Sequence, residues 1–411
     1  MRARGARVFF GTEHHVRASR VKVAAAWVLA FGMLGVSERW FEHAAEAQAG
    51  SKVQAPAFEV DPMWPKPMPN HWILGSAIGV WVDKTDHIWI IHRGASTLDA
   101  NENALGGKLS KNCCEAAPPV LEFDQEGNLV QSWGGPGQGF EWPESNHGIF
   151  VETNGTVWIA GNGSHDGQLL KFTRDGKFIK QFGFAWANAG STDKFAFRQP
   201  AKIFVDEPNK EAYIADGYGN HRVAVLNSET GEMKRLWGAY GNVPDDTDLG
   251  RYRPTAAPAQ QFRNPVHCAD VSVDRLVYVC DRVNDRLQVF TPEGKFVKEQ
   301  FYEKDTLGSG SVWDIAFSKD PQQKYLFLAD GMNQRITVID RQTLAPITSF
   351  GDGGRQVGQF FGVHSIAIDS KGNLYTTETW EGKRLQKFSY KGIKAVTAGY
   401  QGVVRPGATG K

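Results

Sequence analysis

Apolar and polar positions alternate along this chain in short stretches, and no stretch of the body carries the 3.6-residue period of a long helix. Residues 145–160 show the unit in small: an apolar run, the pair Asn154-Gly155, then a second apolar run. That pattern predicts two strands joined by a tight two-residue turn. Residues 265–280 and 363–375 repeat the layout, and His147, His267 and His364 hold the same place before the turn.

Six copies of a longer unit follow one another. The first spans residues 79–133, the second 147–183, the third 203–226, the fourth 267–297, the fifth 313–340 and the sixth 364–392. Each reads as four short strands joined by turns. Four-stranded units repeated radially hide their sheet edges by closing a ring, so the predicted fold is all-β, a six-bladed β-propeller over residues 77–400. Residues 50–76, with Pro56, Pro62, Pro65, Pro67 and Pro69, read as an extended lead-in, and Phe58-Glu59-Val60 is placed to give the last blade its closing strand. Residues 401–411 are a tail.

Composition changes this picture little. A chain of 411 residues that is 41% hydrophobic can bury a large core, and a repeat architecture keeps it one domain. The net charge is +1, and the body carries no basic stripe, which argues against a nucleic-acid partner. The first 49 residues add a destination. Arg2, Arg4, Arg7, Arg17, Arg20 and Lys22 precede an apolar run of 14 residues, 23–36, and Ala47-Gln48-Ala49 offers a small-residue cleavage site. The run is shorter than the roughly 20 residues of a spanning helix, so residues 1–49 read as a signal peptide, with an uncleaved membrane anchor as the alternative. Either way the body is expected outside the cytoplasm, periplasmic or extracellular.

Aligning the copies on their turns places Ile78, His147, Ala201, His267, Trp313 and His364 at one position, so histidines fall on alternate blades. The start of an innermost strand lies near the central axis, and alternation around six blades is three-fold. Three imidazoles with an open fourth position are a catalytic zinc ligand set. Antiparallel pairing then brings Arg282 opposite His267 and Arg93 opposite Ile78, with Tyr218 one step beyond the matching place in the third blade. Two cations and a phenol beside a metal suit a small-molecule or peptide substrate with a carboxylate: an Arg fork binds the carboxylate, and the phenol serves as a base. Asp216, Asp281, Asp330, Asn220, Asn284 and Asn333, and likewise Arg222, Arg286, Arg335 and Arg384, recur as repeat framework. His71, His87, His92, His165 and His221 have no such alignment and read as surface or packing. By idealised register Cys268 and Cys280 face opposite sides of their hairpin and are not expected to pair, while Cys113-Cys114 read as a vicinal disulfide or a loop cross-link.

The units resemble NHL-type repeats. His92-Arg93-Gly94, His147-Gly148, Asp216-Gly217-Tyr218, Pro265-Val266-His267, Asp281-Arg282 and Val363-His364 together resemble, in order, the motifs of the peptidyl-α-hydroxyglycine α-amidating lyases. The resemblance implies zinc on His147, His267 and His364, catalytic roles for Tyr218 and Arg93, substrate contact by Arg282, and cleavage of an α-hydroxyglycine N–C bond to an amide and glyoxylate. It also implies a structural calcium, but Ser365 stands where that family has a calcium-binding aspartate, and Gly219 and Val289 replace paired cysteines. No monooxygenase-like segment precedes the propeller, so the hydroxyglycine is expected from elsewhere. Two other classes fit the same pattern: a metal-dependent hydrolase or lactonase, and a non-enzymatic NHL-type binding module.

Overall fold

The computed structural model describes residues 51–187 and 190–407. The expected export segment lies outside them. The described residues hold no α-helix, only four short 3-10 turns, and no helix among them is long and apolar enough to cross a membrane.

Six sheets form the blades of a propeller, antiparallel throughout except that Gly399–Tyr400 adds a short parallel strand to the edge of blade 5. Their innermost strands are Ala77–Val82, Asn146–Val151, Lys202–Asp206, Val266–Val271, Asp314–Phe317 and Val363–Ile368, for blades 1 to 6, and each packs against the next around the ring. The first five blades are built in sequence order. Blade 6 is completed by the lead-in: Lys52–Asp61 pairs antiparallel with Leu385–Thr397. Phe58 fixes this closure, its ring lying 5.4–5.8 Å from those of Phe327, Phe350 and Tyr390.

The apolar face of each sheet is buried against its neighbour, not in the channel. Trp158, Phe150 and Leu169 of blade 2 pack with Ile203, Ala212 and Ile214 of blade 3, and Leu287 and Val289 of blade 4 with Ile315, Leu326 and Leu328 of blade 5. Burying one such side chain contributes about 1.5–3 kcal/mol. The channel is thereby left free for polar residues.

Two local expectations are corrected. The turn after the first strand of blade 2 has three residues, not two. Gly155 N–H donates to Glu152 O (2.9 Å) and Glu152 N–H to Thr156 O (2.8 Å), with Gly155 at φ +87°. Asn154 Oδ1 accepts the Thr156 N–H at 2.7 Å, so the asparagine holds the turn through its side chain while glycine alone takes the left-handed position. Gly127, Gly176, Gly294 and Gly372 close turns of the same form.

The second correction concerns the cysteines. Cys268 and Cys280 form a disulfide, with Cα atoms 4.8 Å apart. The hairpin turns through three residues, 273–275, with Arg275 N–H donating to Ser272 O and Ser272 N–H to Leu276 O, and that register runs unbroken from Val271 opposite Val277 to Cys268 opposite Cys280; directly opposed residues of an antiparallel pair share a face. A staple of this kind contributes about 2–4 kcal/mol. Cys113 and Cys114 form a vicinal disulfide.

Candidate metal centre

A one-residue slip between Val266 and Cys268, just beyond the cysteine pair, leaves His267 out of the ladder. Similar irregularities fall at His147 (between Asn146 and Ile149) and at His364 (between Val363 and Ser365). Bulges of this sort re-aim a side chain. Here they accompany three rings brought together at the axis, with centroids 4.8–5.0 Å apart. Each residue offers one ligand nitrogen, and those atoms all lie within 4.8 Å of one another.

The intervening blades orient the rings. His147 Nδ1 meets Ala201 O at 2.7 Å, His267 Nδ1 meets Trp313 O, and His364 Nδ1 meets Ile78 O at 2.7 Å. A carbonyl only accepts, so each Nδ1 carries the proton and each Nε2 keeps its lone pair for the channel. Ile78, Ala201 and Trp313 are the three residues that alignment puts at the histidine position of blades 1, 3 and 5. Close approach depends on glycine: a Cβ on Gly148 would stand 2.8 Å from Ala201 O, and one on Gly79 2.7 Å from His147 O.

Protonation is suppressed at all three rings. Burial is the largest cause. The Arg93 and Arg282 guanidinium groups add to it at His147 and His364, and Arg282 adds to it at His267; His364 is lowered to about 3. Three neutral, buried imidazoles with convergent lone pairs can hold a metal ion.

Tyr218 lies against this triangle, its hydroxyl 3.1 Å from Nε2 of both His147 and His267. Arg282 donates to the same hydroxyl at 2.8 Å and lies 4.7 Å over the Trp313 ring. Its Nε–H is buried with no acceptor among the described residues. Arg93 is held differently: it donates to Asn146 O (3.3 Å) and Asn162 Oδ1 (3.0 Å). Burial lowers its pKa, and the nearby Tyr218 and Asp166 oppose that shift. The direct cationic partner of the phenol is therefore Arg282. Tyr218, Arg282, Leu249, Tyr252, Arg263 and Leu307 help line a cavity of about 900 Å³ opening beside the triangle.

Sequence reasoning missed Trp313 as the platform under Arg282, and Asn162 as the acceptor for Arg93. It also missed the floor beneath the imidazoles, where Lys202 Nζ bonds Asp270 Oδ2 (2.7 Å) and Asp314 Oδ1 (2.5 Å) and Ser365 Oγ bonds Asp314 Oδ2 (2.5 Å). These are single residues of four blades with no shared motif. Calcium takes six to eight oxygen ligands, whereas the carboxylates here already face an ammonium. The void among these residues and the imidazoles is about 10 Å³, room for one water at most. The floor does not fit calcium.

No protein-family model matches the sequence. It is 25% identical to human NHL repeat-containing protein 3 over 293 residues, 66% of this chain and 72% of that protein. The chain is an NHL-repeat six-bladed β-propeller. This propeller is 23% identical to a Caenorhabditis elegans protein named "Probable peptidyl-alpha-hydroxyglycine alpha-amidating lyase pgal-1" over 317 residues, 74% of this chain and 80% of that one. It is also 27% identical to peptidyl-glycine alpha-amidating monooxygenase A of Xenopus laevis over 231 residues, which are 55% of this chain and only 22% of that protein. Among solved structures it is similar to virginiamycin B lyase from Staphylococcus aureus, with a TM-score of 0.44 and 13% identity, over 84% of this chain and 92% of that one.

Proposed function

We propose that this protein is an exported, zinc-dependent carbon–nitrogen lyase that splits an N-acyl-α-hydroxyglycine into an amide and glyoxylate. The observation that carries this reading is the Tyr218 hydroxyl, within reach of two convergent imidazoles and bonded to Arg282. Distant likeness to an amidating lyase over most of both chains supports the same reaction class. The two disulfides suit an oxidising compartment outside the cytoplasm.

Zinc bound by His147, His267 and His364 would supply Lewis-acid polarisation of a substrate oxygen. The chain's own residues do the rest. Arg282, together with Arg93, binds the carboxylate and keeps the substrate's α-carbon against Tyr218. Tyr218, its oxygen contacted by Arg282, is the base that takes the α-hydroxyl proton; the C=O bond forms from the O–H pair as the C–N bond breaks. The departing amide nitrogen takes its proton from the Tyr218 hydroxyl, so no proton is gained or lost overall. The cavity of about 900 Å³ leaves room for an acyl or peptidyl group well beyond the reacting carbon.

Glyoxylate release from α-hydroxyhippurate, measured on mature protein before chelation, after it and after zinc add-back, tests the reading. Zinc-dependent release is expected. A folded, zinc-loaded protein that releases none would move the site to the hydrolase or lactonase class, and a folded protein that takes no metal would favour a binding module.

A further inference from the structure

The floor of the channel invites a question of its own. Lys202, Asp270, Asp314 and Ser365 sit on the innermost strands of blades 3, 4, 5 and 6, all buried, with Lys202 at 9% and the others at 2–6% exposure. A charge this deep is costly unless it is paired and hydrogen-bonded. Burial works against the Lys202 ammonium, but the carboxylates of Asp270 and Asp314 outweigh it and hold its pKa above the ordinary lysine value.

Three of the four members of the floor are also tied to the triad above. Lys202 follows Ala201, whose carbonyl fixes the His147 ring, and Asp314 follows Trp313, whose carbonyl fixes the His267 ring. Ser365 follows His364 and bonds Asp314, which also accepts the Ile366 N–H at 3.2 Å. The ion pair thus clamps the backbone segments whose carbonyls orient two rings to the strand that carries the third.

We propose that the Lys202 ammonium is a built-in cation that takes the place of a second metal ion beneath the histidine triad and acts as a positioning residue for it. The protein then binds a single metal ion, at the imidazoles, and its fold does not respond to calcium. Taking the ammonium away leaves two buried carboxylates and a serine hydroxyl facing a vacated volume, which is the start of an oxygen-ligand site for a divalent cation.

The test uses the mature, zinc-loaded protein and Lys202→Met, with calcium content, thermal unfolding with and without millimolar calcium, and zinc affinity by chelator competition with the cobalt absorption spectrum as a second readout. The wild type should hold no calcium, and added calcium should not move its Tm. Lys202→Met should melt lower, regain part of the loss in calcium, and bind zinc about 10–100-fold more weakly with an altered cobalt spectrum. Asp314→Asn, which keeps the ammonium but cuts one pairing, should weaken zinc without acquiring a calcium response, and it decides the matter if Lys202→Met does not fold. Stoichiometric calcium in the wild type, a wild-type Tm that rises in calcium, or wild-type zinc affinity and spectrum in either variant would overturn the assignment. All of these readouts are independent of glyoxylate release, so failure here and failure of the lyase reading are separate results.

Discussion

Blades 2, 4 and 6 and blades 1, 3 and 5 share one four-strand plan and one kind of apolar wall, yet they give the channel different groups. The even blades supply His147, His267 and His364; the odd blades supply the carbonyls of Ile78, Ala201 and Trp313 that fix each ring's proton on Nδ1. The even-blade residue acts through its side chain and the odd-blade residue through its backbone. A six-fold scaffold can therefore carry a three-fold site, because a backbone carbonyl leaves the side chain at its position free for another task, as at Trp313, whose ring lies under Arg282.

The largest effect should come from an even blade. His267→Ala removes one of three ligands, and both bound metal and glyoxylate release should fall to background, read by metal analysis and by turnover. Tyr218→Phe spares the triad and removes the proton acceptor. It should keep its metal and lose about 10²–10⁴-fold in kcat, so near wild-type kcat would refute the base assignment.

A change in the shared wall should separate fold from chemistry. Trp158 is fully buried between blades 2 and 3, and Trp158→Ala should cost about 3–5 kcal/mol in chemical unfolding while turnover per folded molecule stays unchanged. Gly148→Ala sharpens the contrast between blades most narrowly. The added Cβ would press on Ala201 O at 2.8 Å and disturb one ring's orientation without touching a ligand atom. Metal affinity should weaken by about 10–100-fold, with circular dichroism unaltered.

Much of this arrangement is legible in the chain because repetition makes it so. Alternation of short apolar runs and turns shows the blades, and aligning them brings three histidines into one register position long before any contact is seen. What stayed hidden depends on departures from ideal register or on convergence in space. The three-residue turn at 273–275 sets the register that pairs Cys268 with Cys280, where the idealised register sets them on opposite faces. The third residue in the Asn154-Gly155 turn comes from a left-handed glycine held by a side-chain bond that the pair alone does not announce. Arg282 reaches the Tyr218 hydroxyl directly and Arg93 does not, which follows from side-chain paths rather than from strand position. Lys202, Asp270 and Asp314 belong to three blades and to no motif, so only the closed ring brings them together.

The most direct test of the central claim is to titrate the metal-free mature protein with zinc while following glyoxylate formation from α-hydroxyhippurate. Activity should rise linearly and level off at one zinc per chain, with calcium present or absent making no difference. Glyoxylate formed at full rate before any zinc is added, or none formed once one zinc per chain is bound, would contradict it.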